Sequence, residues 1–263
     1  ADILYYYNLL SYIAFLVEPF TSLLGLPPEA SLAIISGMFL NLYAAVAFAA
    51  PLDMDAQQWT ILAIFLGVCH SLVVEGVIMK KIGISNRYSY TLRILGGLFI
   101  AYTATFIPTS LYTSSISTSE FSQETYTSIY DLLASSLYNA SLLTLKIILL
   151  ITLLIFMMDY IKQSKYVQNS AKNVSKGFSL FAGLILGITY GAGILIKETN
   201  SLKKRDLFFI TTFLMICHAI IEDTLLFVIF GADLTIIIMV RLIWGITLAY
   251  LLTEIYTRRS GFN

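Results

Sequence analysis

Apolar runs close to the length that crosses a bilayer recur along this chain, and that recurrence limits its fold more than any other feature. Bounded by turn and charge signals, they fall near residues 3–25, 29–50, 57–79, 88–111, 143–161, 177–196, 207–230 and 234–256. A helix of roughly 20 residues spans the hydrocarbon core, and none of the runs has the two-residue alternation of a membrane barrel. With 58% hydrophobic and 12% charged residues, the chain cannot hide its apolar side chains in a water-soluble core. The expected fold class is therefore an all-α integral membrane protein. The lipid bilayer is its first expected partner. A formal net charge of zero argues against a nucleic-acid partner, which needs a concentrated basic surface. The opening residues, "ADILYYYNLL", lack an initiator Met and a basic n-region, so they do not read as a signal peptide.

Charge sets the sidedness. Flanking Lys and Arg form four blocks: Lys80, Lys81 and Arg87; Lys162, Lys165, Lys172 and Lys176; Lys197, Lys203, Lys204 and Arg205; Arg258 and Arg259. Eight crossings would divide these blocks almost evenly between the two faces, against the positive-inside rule. The conflict disappears if run 177–196 dips in and returns. All four blocks then face the cytoplasm with the C-terminus, in the cell membrane, while Asp53, Asp55, Glu120, Glu124, Asp131 and Asp233 face outward. Glycines within that run, Gly187, Gly191 and Gly193 among them, permit a backbone break at membrane depth. A spanning helix packed through small residues is the other reading.

The two cysteines and two histidines of the chain fall into register at one offset of 148 residues: Cys69/Cys217, His70/His218, then Gly83/Gly231, Arg93/Arg241 and Gly97/Gly245. Chance is a poor explanation for such scarce residues coinciding. The same offset lays run 29–50, with Gly37 and Asn41, beside the glycine-rich run, so a re-entrant helical hairpin is expected there too. Each half then has three crossings and one hairpin, and the odd number inverts the second copy. The expected divisions are a first inverted repeat at 1–112, a polar linker with an amphipathic helix at 113–141, and a second inverted repeat at 142–263; residues 128–141 read either as that surface helix or as a long start to the fifth run. Residues 128–148 have no first-half counterpart, so an additional N-terminal helix is expected to precede the first repeat. Both cysteines read as small buried residues.

Ionisable groups at bilayer depth are costly and point to function. Counted from Gly83, Glu75 and Arg93 lie at similar depths on antiparallel helices, and Asp223 and Arg241 repeat the spacing around Gly231. Both pairs read first as structural clamps, with a substrate-facing guanidinium as the minority view. His70 and His218 lie near the middle of their runs. Glu222, four residues after His218, would share its helix face, where the first half has Val74. The candidate solute or ion site is therefore His70, His218, Glu222, Asp223 and Glu75, with Asn41 and Tyr190 offering polar contacts from the hairpins. His70, His218, Glu222 and Asp223 could alternatively ligate a divalent metal as cargo, although no compact metal motif supports a resident metal or cofactor. His218 with Glu222 or Asp223 could also do acid–base chemistry in a membrane enzyme. The absence of a nucleophile motif, a phosphate loop and a sizeable extramembrane domain argues against an enzyme. A non-transporting scaffold would leave the costly buried charges unexplained.

The stretches "GLILGITYGAGILIKE" and "LKKRDLFFITTFLMICHAIIEDTLLF", followed by an Arg 18 residues after the Asp, resemble the nucleoside-recognition, or Gate, family of membrane proteins. That family includes the spore maturation proteins, and related domains occur in concentrative nucleoside transporters and the bacterial ferrous-iron transporter. The likeness is clearest over 183–245 and fainter over 36–102, where "CHSLVVEGVI" lacks the Glu-Asp doublet. It implies two hairpins plus crossing helices and a transporter-like role with a small polar solute, nucleoside-like or an organic anion, or an ion. The chain is shorter than the nucleoside transporters, which is compatible with a homodimer.

Overall fold

The computed structural model describes residues 17–113, 128–164, 180–181, 183–185, 187–188, 195–196 and 202–260. Every element among them is helical: α1 (Glu18–Leu23), α2 (Ala30–Phe39), α3 (Leu42–Ala49), α4 (Ala56–Cys69), α5 (Leu72–Lys81), α6 (Asn86–Thr91), a π-helical turn (Leu92–Gly96), α7 (Gly97–Ala104), a short 3-10 turn (Thr109–Leu111), α8 (Ile129–Gln163), α9 (Lys204–Ile216), α10 (Ile220–Val228) and α11 (Leu234–Ser260). Among the described residues, four stretches are long and apolar enough to cross a membrane: Ala56–Lys81, Ile129–Ile161, Lys204–Val228 and Leu234–Arg258. The chain is thus a multi-pass, all-helical membrane protein.

Run 29–50 is not a crossing helix. It forms α2 and α3, of 10 and 8 residues, only about 15 and 12 Å long at 1.5 Å per residue. Leu40 leaves the helical region and Asn41 is extended at φ −164° and ψ 171°, so the chain reverses and the two helices pack side by side. The Asn41 carboxamide accepts the Ala44 amide at 2.9 Å, capping α3. Run 88–111 stops being helical at Ala104, four residues before Pro108, which cannot continue a helix and biases the residue before it away from helical backbone. Runs 128–141 and 143–161 are one helix, α8, of 35 residues capped by Ser128, so of the two readings of 128–141 the structure has the long start to the fifth run and not a separate surface helix. Of the second expected hairpin, 177–196, only residues 180–181, 183–185, 187–188 and 195–196 are described; Tyr190, Gly191 and Gly193 lie outside the described residues.

Helix α4 is the centre of the bundle. Every residue from Trp59 to Cys69 is buried, the condition under which a helix apolar on all sides is stable. It packs against α2, α7, α10 and α11, and so joins the two halves. A capping box of Asp55 and Gln58 starts it. By contrast α11 leaves Met239, Ile243, Ile246, Tyr250 and Ile255 exposed, as suits a helix facing lipid.

The two polar-bearing spans, α4–α5 and α9–α10, run antiparallel. At one end Trp59, early in α4, stacks on Phe230, just past α10, at 5.3 Å between ring centroids. Beside them the Asp233 amide donates to the Thr60 hydroxyl at 2.7 Å. At the other end Tyr88, just past α5, meets Phe208, early in α9, at 5.0 Å, and Phe208 stacks on Tyr256 of α11 at 4.3 Å. Arg205 pairs there with Glu254. Lys80, Lys81, Arg87, Lys203, Lys204, Arg205 and Arg258 therefore gather at one end, and Asp53, Asp55 and Asp233 at the opposite one.

Candidate functional site

Both spans are broken at their histidines. Helix α4 ends at Cys69, His70 is extended at φ −93° and ψ 164°, and Ser71 is left-handed at φ 45° and ψ 38° before α5 begins. Cys217, at φ −135° and ψ 50°, ends α9, and Ala219 is left-handed at φ 45° and ψ 37° before α10 begins. Neither left-handed residue is a glycine, so each break costs on the order of 1–3 kcal/mol and must be held by its surroundings. Neighbouring backbone, the α2–α3 hairpin on one side and residue 183 on the other, does part of this. Ser71 donates its amide to the Gly37 carbonyl at 2.9 Å and its hydroxyl to the Leu40 carbonyl at 3.1 Å. Ala219 donates its amide to the Gly183 carbonyl at 3.4 Å.

Gly37 and Gly183 are needed for that approach. A Cβ on Gly37 would come to 2.7 Å from the Leu66 side chain, and one on Gly183 to 2.6 Å from Leu214. Leu66 and Leu214 are repeat partners at 148, whereas Gly37 and Gly183 are partners at 146. The hairpin register is thus two residues off the ungapped one. At 146 the turn residue Asn41 corresponds to Gly187, which has φ +87°.

The arginines finish the breaks. Arg93 Nε donates to the Val68 carbonyl at 2.8 Å and Nη2 to the His70 carbonyl at 2.6 Å. Arg241 Nε donates to the Ile216 carbonyl at 3.3 Å and Nη2 to the His218 carbonyl at 2.9 Å. These carbonyls lost their helical donors when the helices ended, and at membrane depth no water replaces them. Both guanidiniums are fully buried. Arg93 leaves its helix from a π turn, a local widening common at functional sites; Arg241 leaves from the regular α11.

Around this frame the charged side chains are unequal. Arg93 Nη1 lies 2.9 Å from Glu75 Oε2, and Arg241 Nη2 lies 3.6 Å from Asp223 Oδ2. Glu75 Oε1 meets both imidazoles, at 3.0 Å from His70 Nε2 and 3.2 Å from His218 Nε2. The rings face each other at 5.1 Å between centroids. Each Nδ1 lies 2.8 Å from the carbonyl four residues back, Leu66 for His70 and Leu214 for His218. Since a carbonyl only accepts, each Nδ1 carries the proton it donates.

Beside the imidazoles lies a cavity of about 150 Å³ lined by Asn41, Leu42, Tyr43, His70, Ser71, Glu222, Asp223 and Leu226. Tyr43 donates its hydroxyl to Glu222 Oε1 at 3.1 Å, linking the first hairpin to the second half. Buried Asp223 Oδ2 has no hydrogen-bond partner among the described residues.

The structure thus gathers His70, His218 and Glu75 in one cluster, with Asn41, Glu222 and Asp223 on the adjoining cavity. One expectation needs correction. His218 and Glu222 do not share a helix face, because α9 ends before His218 and α10 starts after Ala219. The four-residue rule fails across the break, and Glu75 from the other half is the carboxylate that touches His218. Tyr43 and Ser71 were not legible as site residues. The available signal for Tyr43 was its place two residues past the turn residue Asn41.

Comparison with known proteins agrees with this picture at a coarse level. Residues 1–85 match the family model described as nucleoside recognition (Gate). The expected likeness was strongest over 183–245, so the match falls in the other half. A membrane protein of Bacillus subtilis (strain 168), YvoD, described as uncharacterized, is 29% identical over 256 residues, covering 90% of this chain and 80% of that protein. No solved structure matches. The chain is accordingly a multi-pass helical membrane protein that resembles the nucleoside-recognition (Gate) family in its first half and YvoD along most of its length.

Proposed function

We propose that the protein is a transporter whose two halves are inverted repeats and whose central cavity carries a small polar solute or ion. The observation that carries this reading is the cavity itself: it lies where a hairpin turn, a broken span and two acidic side chains converge, within a pair of antiparallel spans. Discontinuous helices around a midplane site are the pattern of secondary transporters. The gathering of basic residues at one end of the bundle and acids at the other supports crossing with the basic end, and the C-terminus, in the cytoplasm.

Size and charge narrow the cargo. A volume near 150 Å³ is below the roughly 300–1,000 Å³ that encloses drug-sized ligands, so a nucleoside would enter only with outward movement of the α2–α3 hairpin. Among the described residues the lining has Glu222 and Asp223 and no Lys or Arg, and both buried guanidiniums are spent on carbonyls. This favours a cation or a hydrogen-bond-donating neutral solute over an organic anion. Movement of the hairpin against the broken spans would supply the two states that transport needs. An acid–base enzyme is the weaker reading, because nothing on the cavity wall resembles an activated nucleophile.

Uptake into proteoliposomes tests the proposal with small cations, nucleosides and organic anions as a panel. Flux of a cationic or neutral solute is expected, and Glu222→Gln should reduce apparent affinity roughly 10–100-fold, the equivalent of a charge-assisted hydrogen bond of about 1.5–3 kcal/mol. Folded protein that moves none of the panel, or moves it equally well with Glu222→Gln, would sink the proposal.

A further inference from the structure

We infer that His70, Glu75 and His218 form a resident site for a divalent transition-metal ion, next to the transport cavity and independent of whether that cavity carries a solute. The three donor atoms, His70 Nε2, His218 Nε2 and Glu75 Oε1, all lie within 4.8 Å of one another, and all three residues are buried. Because both Nδ1 atoms are committed to carbonyls, each ring turns its Nε2 to the same carboxylate oxygen, and as neutral rings they would aim two nitrogen lone pairs at it. Three acceptors facing one another without a positive charge between them would repel. A cation among the three donors, a metal ion or protons on the rings, removes that repulsion.

Several features favour a metal over protons. Protons would have to be two, one on each ring, placing two positive imidazoles face to face at 5.1 Å, whereas one ion serves both nitrogens, at 3.0 and 3.2 Å from the shared oxygen. Separations of this order are those of donors that share one ion at about 2.0–2.1 Å. Each ligating ring donates its other nitrogen to a backbone carbonyl, the outer-shell arrangement that fixes the tautomer of metal-binding histidines. Arg93 holds the far oxygen of Glu75 and so orients the carboxylate. Asp223 and Glu222, which line the same cavity as His70, offset the second positive charge. Two imidazoles and one carboxylate suit zinc, iron, cobalt or nickel, while magnesium and calcium prefer shells of oxygen ligands. Three protein ligands leave a further coordination position, and the cavity beside His70 gives a route to it.

The full-length protein, purified in a mild detergent and stripped with a chelator, tests this by titration with Co2+ followed by Zn2+. One cobalt per chain is expected, with a ligand-field absorption band that zinc removes. His70→Gln and His218→Gln should each weaken binding by at least the roughly 10–100-fold that loss of an outer-shell partner already costs, and Arg205→Gln at the basic end should leave it unchanged. X-ray absorption on unaltered protein gives a readout that needs no variant to fold: imidazole scattering is expected, since the chain has only these two histidines. No stoichiometric uptake, or a bound ion without imidazole in its shell, would overturn the inference and leave protons on the rings as the cation. Loss of metal binding with intact solute flux, or the reverse, separates this site from the transport proposal.

Discussion

The two broken spans agree closely in backbone and differ in their acids. Ser71 and Ala219 share the same left-handed dihedrals to within about a degree, and Arg93 and Arg241 serve equivalent pairs of carbonyls, Val68 and His70 for one and Ile216 and His218 for the other. Yet Glu75 reaches its arginine at 2.9 Å and both imidazoles besides, while Asp223, one methylene shorter, stops 3.6 Å from its own arginine. Glu222 stands on the cavity where the first half has Val74, which is exposed on the bundle surface. The clamp that lets a helix end inside the bundle is thus the same in both spans, because each must satisfy its carbonyls. The acidic chemistry was free to diverge, since one carboxylate suffices for both rings.

The largest effects should come from the clamps. Removing one partner of a buried charge pair costs about 3–5 kcal/mol, and orphaned carbonyls add to that. Thermal unfolding in detergent should therefore show Arg93→Met and Arg241→Met both strongly destabilised, Arg93→Met the more so because its carboxylate is closer. Equal losses would mean that the carbonyls alone set the cost and that the acids contribute little to the difference.

A smaller effect tests how the halves interlock. Gly67 is the repeat counterpart of Met215, and Arg241 Nη2 donates across the halves to the Gly67 carbonyl at 2.8 Å. A Cβ at Gly67 would come within 2.9 Å of the Arg241 guanidinium. Gly67→Ala should lower stability by about 1–3 kcal/mol, the usual range for overpacking. An unchanged melting temperature would show that Arg241 can yield without loss, and that its contact across the halves is incidental.

The smallest effect separates the two turns. The Gly83 turn lies at the basic end, and the Gly231 turn carries Asp233. Burial opposes ionisation of Asp233, but hydrogen bonds from the Ile236 amide and from the Thr113 amide and hydroxyl outweigh it and hold the carboxyl below its usual range. A lowered folded pKa contributes stability that is fully present above the ordinary carboxylate value and is lost as pH falls through the folded one. Acid unfolding of Asp233→Asn should therefore lack part of the wild-type pH dependence below that range, with a loss near 1 kcal/mol at neutral pH, typical of a helix cap. Identical acid profiles would rule out the cap as the source.

Much of the fold was legible from residues alone. The apolar runs located the bundle's long helices, and the reversal of run 29–50 followed from aligning it with the glycine-rich run and counting charges. The pairing of Glu75 with Arg93 came within reach by counting from Gly83, since an α-helix has a fixed rise and an antiparallel neighbour returns at the same rate. What misled was the assumption that helices continue through the histidines. Ser71 and Ala219 are poor residues for a left-handed backbone, so no local signal marks either break.

Sequence by itself determined that this chain lives in a membrane and that its scarce polar residues recur at one offset, because hydrophobic length and residue scarcity are properties of the chain. Only the tertiary structure decided which carboxylate meets the imidazoles. That choice depends on two non-helical residues in each span and on one methylene of reach, and both are settled by carbonyls and hairpins that come together only when the halves pack.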